Sequence, residues 1–312
     1  PRQLTTRAVF RPNSPMNRRA FLFSALASTA LGRATEAGTA SPAPEAAICR
    51  APQQTAAAAG DDRLVFEGTH ILAYGALRQI AKAYRGPTPL MVRGGGCDNA
   101  VMAVRNGSAH LGGMCCPPRG PRLEGMSSLV VAADMKVVVA HPDLDISDIA
   151  IESLRAIADG SLEDWRDVGA APGSIALVVR EHCWDFAEPV RTLLLPERPT
   201  WSARALLVTS DENLVDSVAR FRRAIGVASW VFAKPLVEAG KLKLLSVDGV
   251  LPSADAVQLG KYALIAPISM IYSEWRPEMT PFFDFLYGPQ GRAIITERLL
   301  PVSATEAGYR MG

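Results

Sequence analysis

From Arg63 onward, short apolar runs alternate with segments whose apolar residues recur every three or four positions. That is the pattern of strands alternating with helices. Arg63-Leu64-Val65-Phe66-Glu67-Gly68-Thr69-His70 reads as a strand ending in a turn. Leu72, Leu77, Ile80, Ala81 and Tyr84 then fall near helical spacing until Arg85-Gly86-Pro87 stops the helix. Leu90-Met91-Val92 is a second strand, and three glycines at 94–96 make a tight turn. Val101, Met102 and Val104 begin a helix that ends near Asn106-Gly107. Ala109 to Met114 is a third strand, broken by Cys115-Cys116-Pro117-Pro118. The alternation predicts a βαβα unit with a parallel sheet, in which ligands sit beyond the carboxyl ends of the strands. Those ends are Thr69/His70, Gly96/Cys97 and Met114/Cys115.

The pattern continues through the second half. Lys136 to Ala140 is a strongly apolar strand, and Ile151 to Ala158 a short helix ending at Asp159-Gly160. Ile175 to Val179 is a strand with Arg180-Glu181-His182-Cys183-Trp184 at its carboxyl end. Val215 to Phe221 reads as helix, Ala224 to Phe232 and Lys243 to Val247 as strands, and Tyr262 to Ile271 as an extended crossover. Pro281 to Tyr287 and Gly291 to Arg298 are predicted closing helices.

Residues 1–60 have a different composition. Asn17-Arg18-Arg19-Ala20-Phe21-Leu22 places an arginine pair before an apolar run, followed by small residues and a Pro/Ala/Gln-rich stretch. This resembles a twin-arginine export signal, which predicts a periplasmic mature chain beginning between Ala40 and Asp61; the bland alternative is a basic leader. No other run reaches the ~18–20 apolar residues of a membrane span. At 312 residues the chain suits two lobes and a cleft. With 33 basic against 31 acidic residues, net +2, nothing points to nucleic acid.

Gly68-Thr69 with its following helix, Arg93-Gly94-Gly95-Gly96, Ala109-His110-Leu111-Gly112 and Ile157-Ala158-Asp159-Gly160 with Trp165 form the first half of an ordered series. Ile175 to Arg180, Ala224-Ile225-Gly226-Val227, Val247-Asp248-Gly249-Val250 with Pro252, and Phe285-Leu286 with Pro289-Gln290-Gly291 complete it. In this order they resemble the periplasmic phosphate-binding proteins of ABC transporters, from about Leu64 to Val302. The resemblance implies an α/β, two-lobed periplasmic-binding-protein-like fold. Each lobe is a mostly parallel sheet flanked by helices, and a two-strand hinge joins them. Lobe one would be 62–137 plus 262–312, and lobe two 138–261. It implies a non-enzymatic protein that closes on a small inorganic ligand and docks on an ABC permease or the periplasmic domain of a sensor kinase.

The family's ligand residues carry over in part. Thr69 resembles the first-loop hydroxyl whose side chain and N–H bind a phosphate oxygen, with His70 beside it. Arg180 resembles the arginine that pairs with phosphate, a charge-assisted contact. Gly96 lies in the second loop. Cys97 stands where the family has a serine, and Cys115, or Cys116 if the alignment slips by one, stands where it has an aspartate. His182, Cys183 and Trp184 replace a Ser-Gly-Thr stretch, with Trp184 expected as a cleft wall.

A thiol is a weak donor and weak acceptor, so these replacements remove contacts to a hard oxyanion. Thiolates and imidazoles select soft or borderline ions, and trivalent arsenic shares the preference. The expected ligand is therefore thiophilic, an arsenite-like metalloid or a soft metal ion, held by Cys97, Cys115, Cys183 and His70, with Cys116 and His182 as further candidates. Arg180 and helix N-termini are expected to lower the thiol pKa values toward neutrality. Competing expectations remain at this stage. The ligand could still be phosphate or a related oxyanion on Thr69, Arg180 and helix N-termini; the protein could be a redox or metal-cluster protein on the same scaffold; or the five cysteines could form structural disulfides or fill the core.

Overall fold

The computed structural model of the chain describes residues 62–181, 188–196 and 200–312. The export leader therefore lies outside the described residues, as do His182, Cys183 and Trp184.

The apolar run Leu64–Gly68 forms β1, buried except at Glu67. Helix α1 (His70–Leu72) continues through a π-helical turn, Ala73–Leu77, into α2 (Arg78–Ala83). There follow β2 (Leu90–Gly94), α3 (Gly96–Arg105) and β3 (Leu111–Met114). Both β2 and β3 pair with β1 in parallel, so the carboxyl ends of all three strands lie at one edge.

Next comes β4 (Ser127–Ala140), then β5 (Asp148–Ile149), α4 (Ile151–Asp159), β6 (Ala176–Arg180) and α5 (Pro189–Leu194). After them run β7 (Leu206–Val208), α6 (Asp211–Arg220), β8 (Ala224–Ser229), α7 (Trp230–Glu238), β9 (Lys243–Leu244), β10 (Ser246–Val247) and α8 (Ala254–Gln258). The chain closes with β11 (Ile265–Tyr272), α9 (Met279–Tyr287), α10 (Pro289–Thr296) and β12 (Leu300–Pro301).

Ten strands join in the order β2-β1-β3-β11-β4-β8-β6-β7, with β9 and β12 added on β4. The strand β4 ties two parallel sets together. Its first part pairs antiparallel with β11 as far as Met135, and its second part, from Lys136, pairs antiparallel with β8. Where the partner changes, Lys136 N–H donates to Leu264 O at 2.8 Å. Hydrophobicity alone predicts only the second part of this strand. The first part begins with exposed Ser127 and Ser128 and is held by pairing with β11, a partner more than a hundred residues away.

One expected strand is corrected. Ala224–Phe232 is extended only to Ser229, and Trp230 starts α7. The Ser229 side chain accepts from Val231 N–H, a helix N-cap that ends the apolar run as a strand. Fully buried Phe66, Leu111, Leu154, Trp165, Phe282 and Phe283 anchor the core. Among the described residues no helix is long and apolar enough to cross a membrane.

Candidate sulfur-lined site

At the edge where β1, β2 and β3 end, glycines let the backbone segments meet. A Cβ on Gly68 would lie 2.3 Å from the Gly113 nitrogen, so the ends of β1 and β3 touch through bare backbone. Thr69 N–H donates to Gly113 O at 3.0 Å, and Gly95 N–H to Gly68 O at 3.0 Å. Gly96 opens α3 at φ +80°, a left-handed conformation that glycine adopts without a Cβ clash. Cys97, second in α3, is thereby set against Cys115 and Cys116, which directly follow β3.

The three sulfurs lie within 4.8 Å of one another. Cys115 N–H points at Cys97 Sγ at 3.3 Å, and the Sγ atoms of Cys97 and Cys115 are 3.4 Å apart. None of the three is in a disulfide, and Cys97, Cys115 and Cys116 are 2%, 3% and 0% exposed. The expectation of thiols lowered toward neutrality is corrected for two of them. Hydrogen bonding to Cys115 and burial push the Cys97 thiol up, although Cys116 pulls the other way. Hydrogen bonds to Cys115 and Cys97, together with burial, push Cys116 up as well. Nearby thiols resist losing more than one proton because the thiolates would be like charges side by side in a medium of low dielectric.

The other predicted residues fall differently. His70 is exposed, packed against Gly94 and edge-on to Tyr74 at 6.0 Å, outside the sulfur cluster. Thr69 is buried at the start of α1, but its N–H is already committed to Gly113 rather than offered to a ligand. His110 and His141 do the local work expected of filler histidines, accepting from the backbone N–H of Val65 and of Asp143.

Arg180, at the carboxyl end of β6, is ion-paired with Asp211, the first residue of α6. Burial works against its charge, but Asp211, Cys115, Cys97 and Glu188 outweigh it and raise its pKa. The guanidinium is thus within electrostatic reach of the sulfurs. Arg180, Asp211, Glu188, Lys136 and Trp201 line one pocket.

Lys136, Asp134 and Ser229 form a buried polar group that the sequence reading missed. Lys136 Nζ lies 2.8 Å from Asp134 Oδ2, and Ser229 Oγ donates to Asp134 Oδ1 at 2.8 Å. Burial pushes the Asp134 carboxyl up, opposed by Lys136. For Lys136 burial is again the largest influence, but Asp134, Asp211, Glu188 and Cys115 overcome it and raise the pKa, holding the ammonium charged. The signal was present: two charges two apart, on one face of an apolar strand, are too costly to bury without partners.

The PBP superfamily domain matches residues 53–290. The phosphate-binding protein PstS of Borreliella burgdorferi is 23% identical over 183 residues, 56% of this chain and 65% of that protein. PstS of Bacillus subtilis is 24% identical over 181 residues, 57% of this chain and 58% of that protein. The chain thus spans less than two thirds of the length of either relative. A solved structure from Clostridium perfringens, assigned as a phosphate ABC transporter substrate-binding protein with bound phosphate, superposes with TM-score 0.69 at 18% identity, over 77% of this chain and all of that one. An ABC-type phosphate transport receptor from Vibrio cholerae gives 0.62 at 18% identity over 77% and 100% of the two chains. At such identities the superpositions establish the fold.

Proposed function

The chain belongs to the PBP superfamily, and from that premise we propose that it is a non-enzymatic periplasmic solute-binding protein whose interlobe cleft takes a thiophilic ligand for transport or sensing. The cysteine cluster carries this reading: Cys97, Cys115 and Cys116 converge, buried, at the strand ends where an open α/β sheet places its ligand. Clustered thiols favour soft metal ions and metalloids over hard oxyanions. Residues 62–137 with 262–312 would form one lobe and 138–261 the other, closing about the crossings at Met135–Lys136 and Leu264–Ile265. The first lobe supplies the sulfur cluster. Arg180 of the second lobe, its charge already met by Asp211, borders the cluster, and an ABC permease or a sensor kinase reads the closed form.

A second reading draws on the relatives named for phosphate binding: phosphate held by Arg180, Thr69 and the N-terminus of α3. Against it, Thr69 N–H and the Arg180 guanidinium already have protein partners. Elemental analysis of protein purified from periplasm, with a free-thiol count, separates the two. Bound metal or arsenic that masks the cluster thiols supports the thiophilic reading. Bound phosphate with all thiols free, and affinity untouched by Cys97→Ser, would end it.

A further inference from the structure

We propose, resting on the thiophilic reading above, that the cluster selects a neutral trivalent metalloid hydroxide, arsenous acid being the type, and holds it as a three-coordinate trithiolate. Two features of the site beyond its softness carry the choice between metalloid and metal ion.

The first is the donor number. Among the described residues, the group that brings His, Cys, Asp and Glu donor atoms together here contains three sulfurs and nothing else. His70, the imidazole expected among the ligands, turns to Gly94 and Tyr74 instead, and His110 accepts from Val65 N–H. Structural zinc sites are closed by four ligands in a tetrahedron, and cadmium follows the same preference for several donors. A trivalent arsenic or antimony centre satisfies its valence with three sulfurs in a pyramid and leaves the fourth direction to its lone pair. Three sulfurs within 4.8 Å, drawn from one helix start and one strand end, supply that base.

The second is charge. Lys136 is paired with Asp134 and Arg180 with Asp211, and Glu188 acts on both cations as well. Neither cation has charge to spare for an anionic product, and burying an uncompensated charge is expensive. A divalent ion on three thiolates leaves one net negative charge, and a monovalent copper ion leaves two. A trivalent centre leaves none. The exchange is balanced without an oxidant: As(OH)₃ and three thiols give As(SR)₃ and three waters. Three As–O bonds break and three As–S bonds form, each hydroxide leaves with the proton of one thiol, and arsenic stays trivalent. A hydrogen phosphate dianion would instead add charge that neither cation is free to meet.

The test uses the reduced full chain. Arsenite and cadmium ion are titrated in parallel, followed by native mass spectrometry and by ultraviolet absorption of the sulfur bonds. Expected is one arsenic per chain with the adduct mass of arsenic less three hydrogens, and arsenite displacing cadmium at equal concentration. Cys116→Ser, checked for an unchanged melting profile, should lose the three-hydrogen adduct. Cadmium bound through the cysteines with arsenite excluded would overturn this proposal and leave the thiophilic reading standing. So would retention of the three-hydrogen adduct by Cys116→Ser, which would remove that residue from the ligand set. Failure of both probes, with inorganic phosphate bound, would overturn both.

Discussion

The two sides of the candidate cleft solve the problem of burying polar groups in opposite ways. On the side of β1 to β3, three thiols sit nearly free of solvent, with the Cys97 and Cys115 sulfurs 3.4 Å apart and Cys115 N–H donating to Cys97 Sγ. A thiol tolerates this because it behaves as a small apolar residue with a weak donor. On the side of β4, β6 and β8, full charges are buried, and each has an opposite charge or a hydroxyl against it. Such charges are tolerable only while paired. The sulfur side holds no full charge while the charged side has its charges paired, so on the reading proposed above the ligand takes its bonds from the sulfurs.

The sharpest way to break this contrast is to remove a charge. Lys136→Met leaves Asp134 buried against Ser229 alone and should destabilise the protein by about 3–5 kcal/mol, the range for half-broken buried pairs. Chemical denaturation measures it, and adding Asp134→Asn should recover part of the loss. A cost under ~1 kcal/mol would mean that the charged side is wet and loosely held. Cys97→Ser should be gentler on stability but should weaken thiophile binding by about 100-fold or more, beyond the ~10–100-fold lost with an outer partner of a metal site. Equilibrium titration with arsenite checks it.

Ser229→Ala sharpens the same comparison at smaller scale. It removes one hydroxyl that both donates to Asp134 and caps α7. The expected loss is about 1–3 kcal/mol, since a buried carboxylate oxygen is left without its donor. Asp164, which belongs to neither group, offers a control. Its carboxylate accepts from the Arg166 side chain and from the N–H groups of Arg166 and Gly173, which hold its pKa below the ordinary 3.8. A depressed carboxylate adds stability that is complete above its unfolded pKa and lost as pH falls through its folded one. Asp164→Asn should therefore cost stability at neutral pH and shrink its decline below about pH 4, with the thiophile affinity unchanged.

The contrast also explains what could be read from sequence. Cys97 and Cys115 were legible because both follow strand ends within one local unit, where the turn glycines fix the geometry. Whether Cys115 or Cys116 belonged to the site stayed open, and the fold brings in both. On the charged side only Asp134 and Lys136, two apart on one strand face, left a local signal; the other pairs are long-range: Ser229 is 95 residues from Asp134, and Asp211 is 31 from Arg180. Helix α7 was hidden for a related reason. Trp230-Val231-Phe232 extends the apolar run of β8, and Pro235 within the helix argues against helix locally. The Ser229 cap and packing decide otherwise.

The most direct test of the account is a side-by-side titration of one preparation of reduced protein with inorganic phosphate and with arsenite, by calorimetry. Arsenite bound one to one with no heat from phosphate is the predicted result. Phosphate bound at micromolar strength or tighter, undiminished by Cys97→Ser, with arsenite silent, would contradict it.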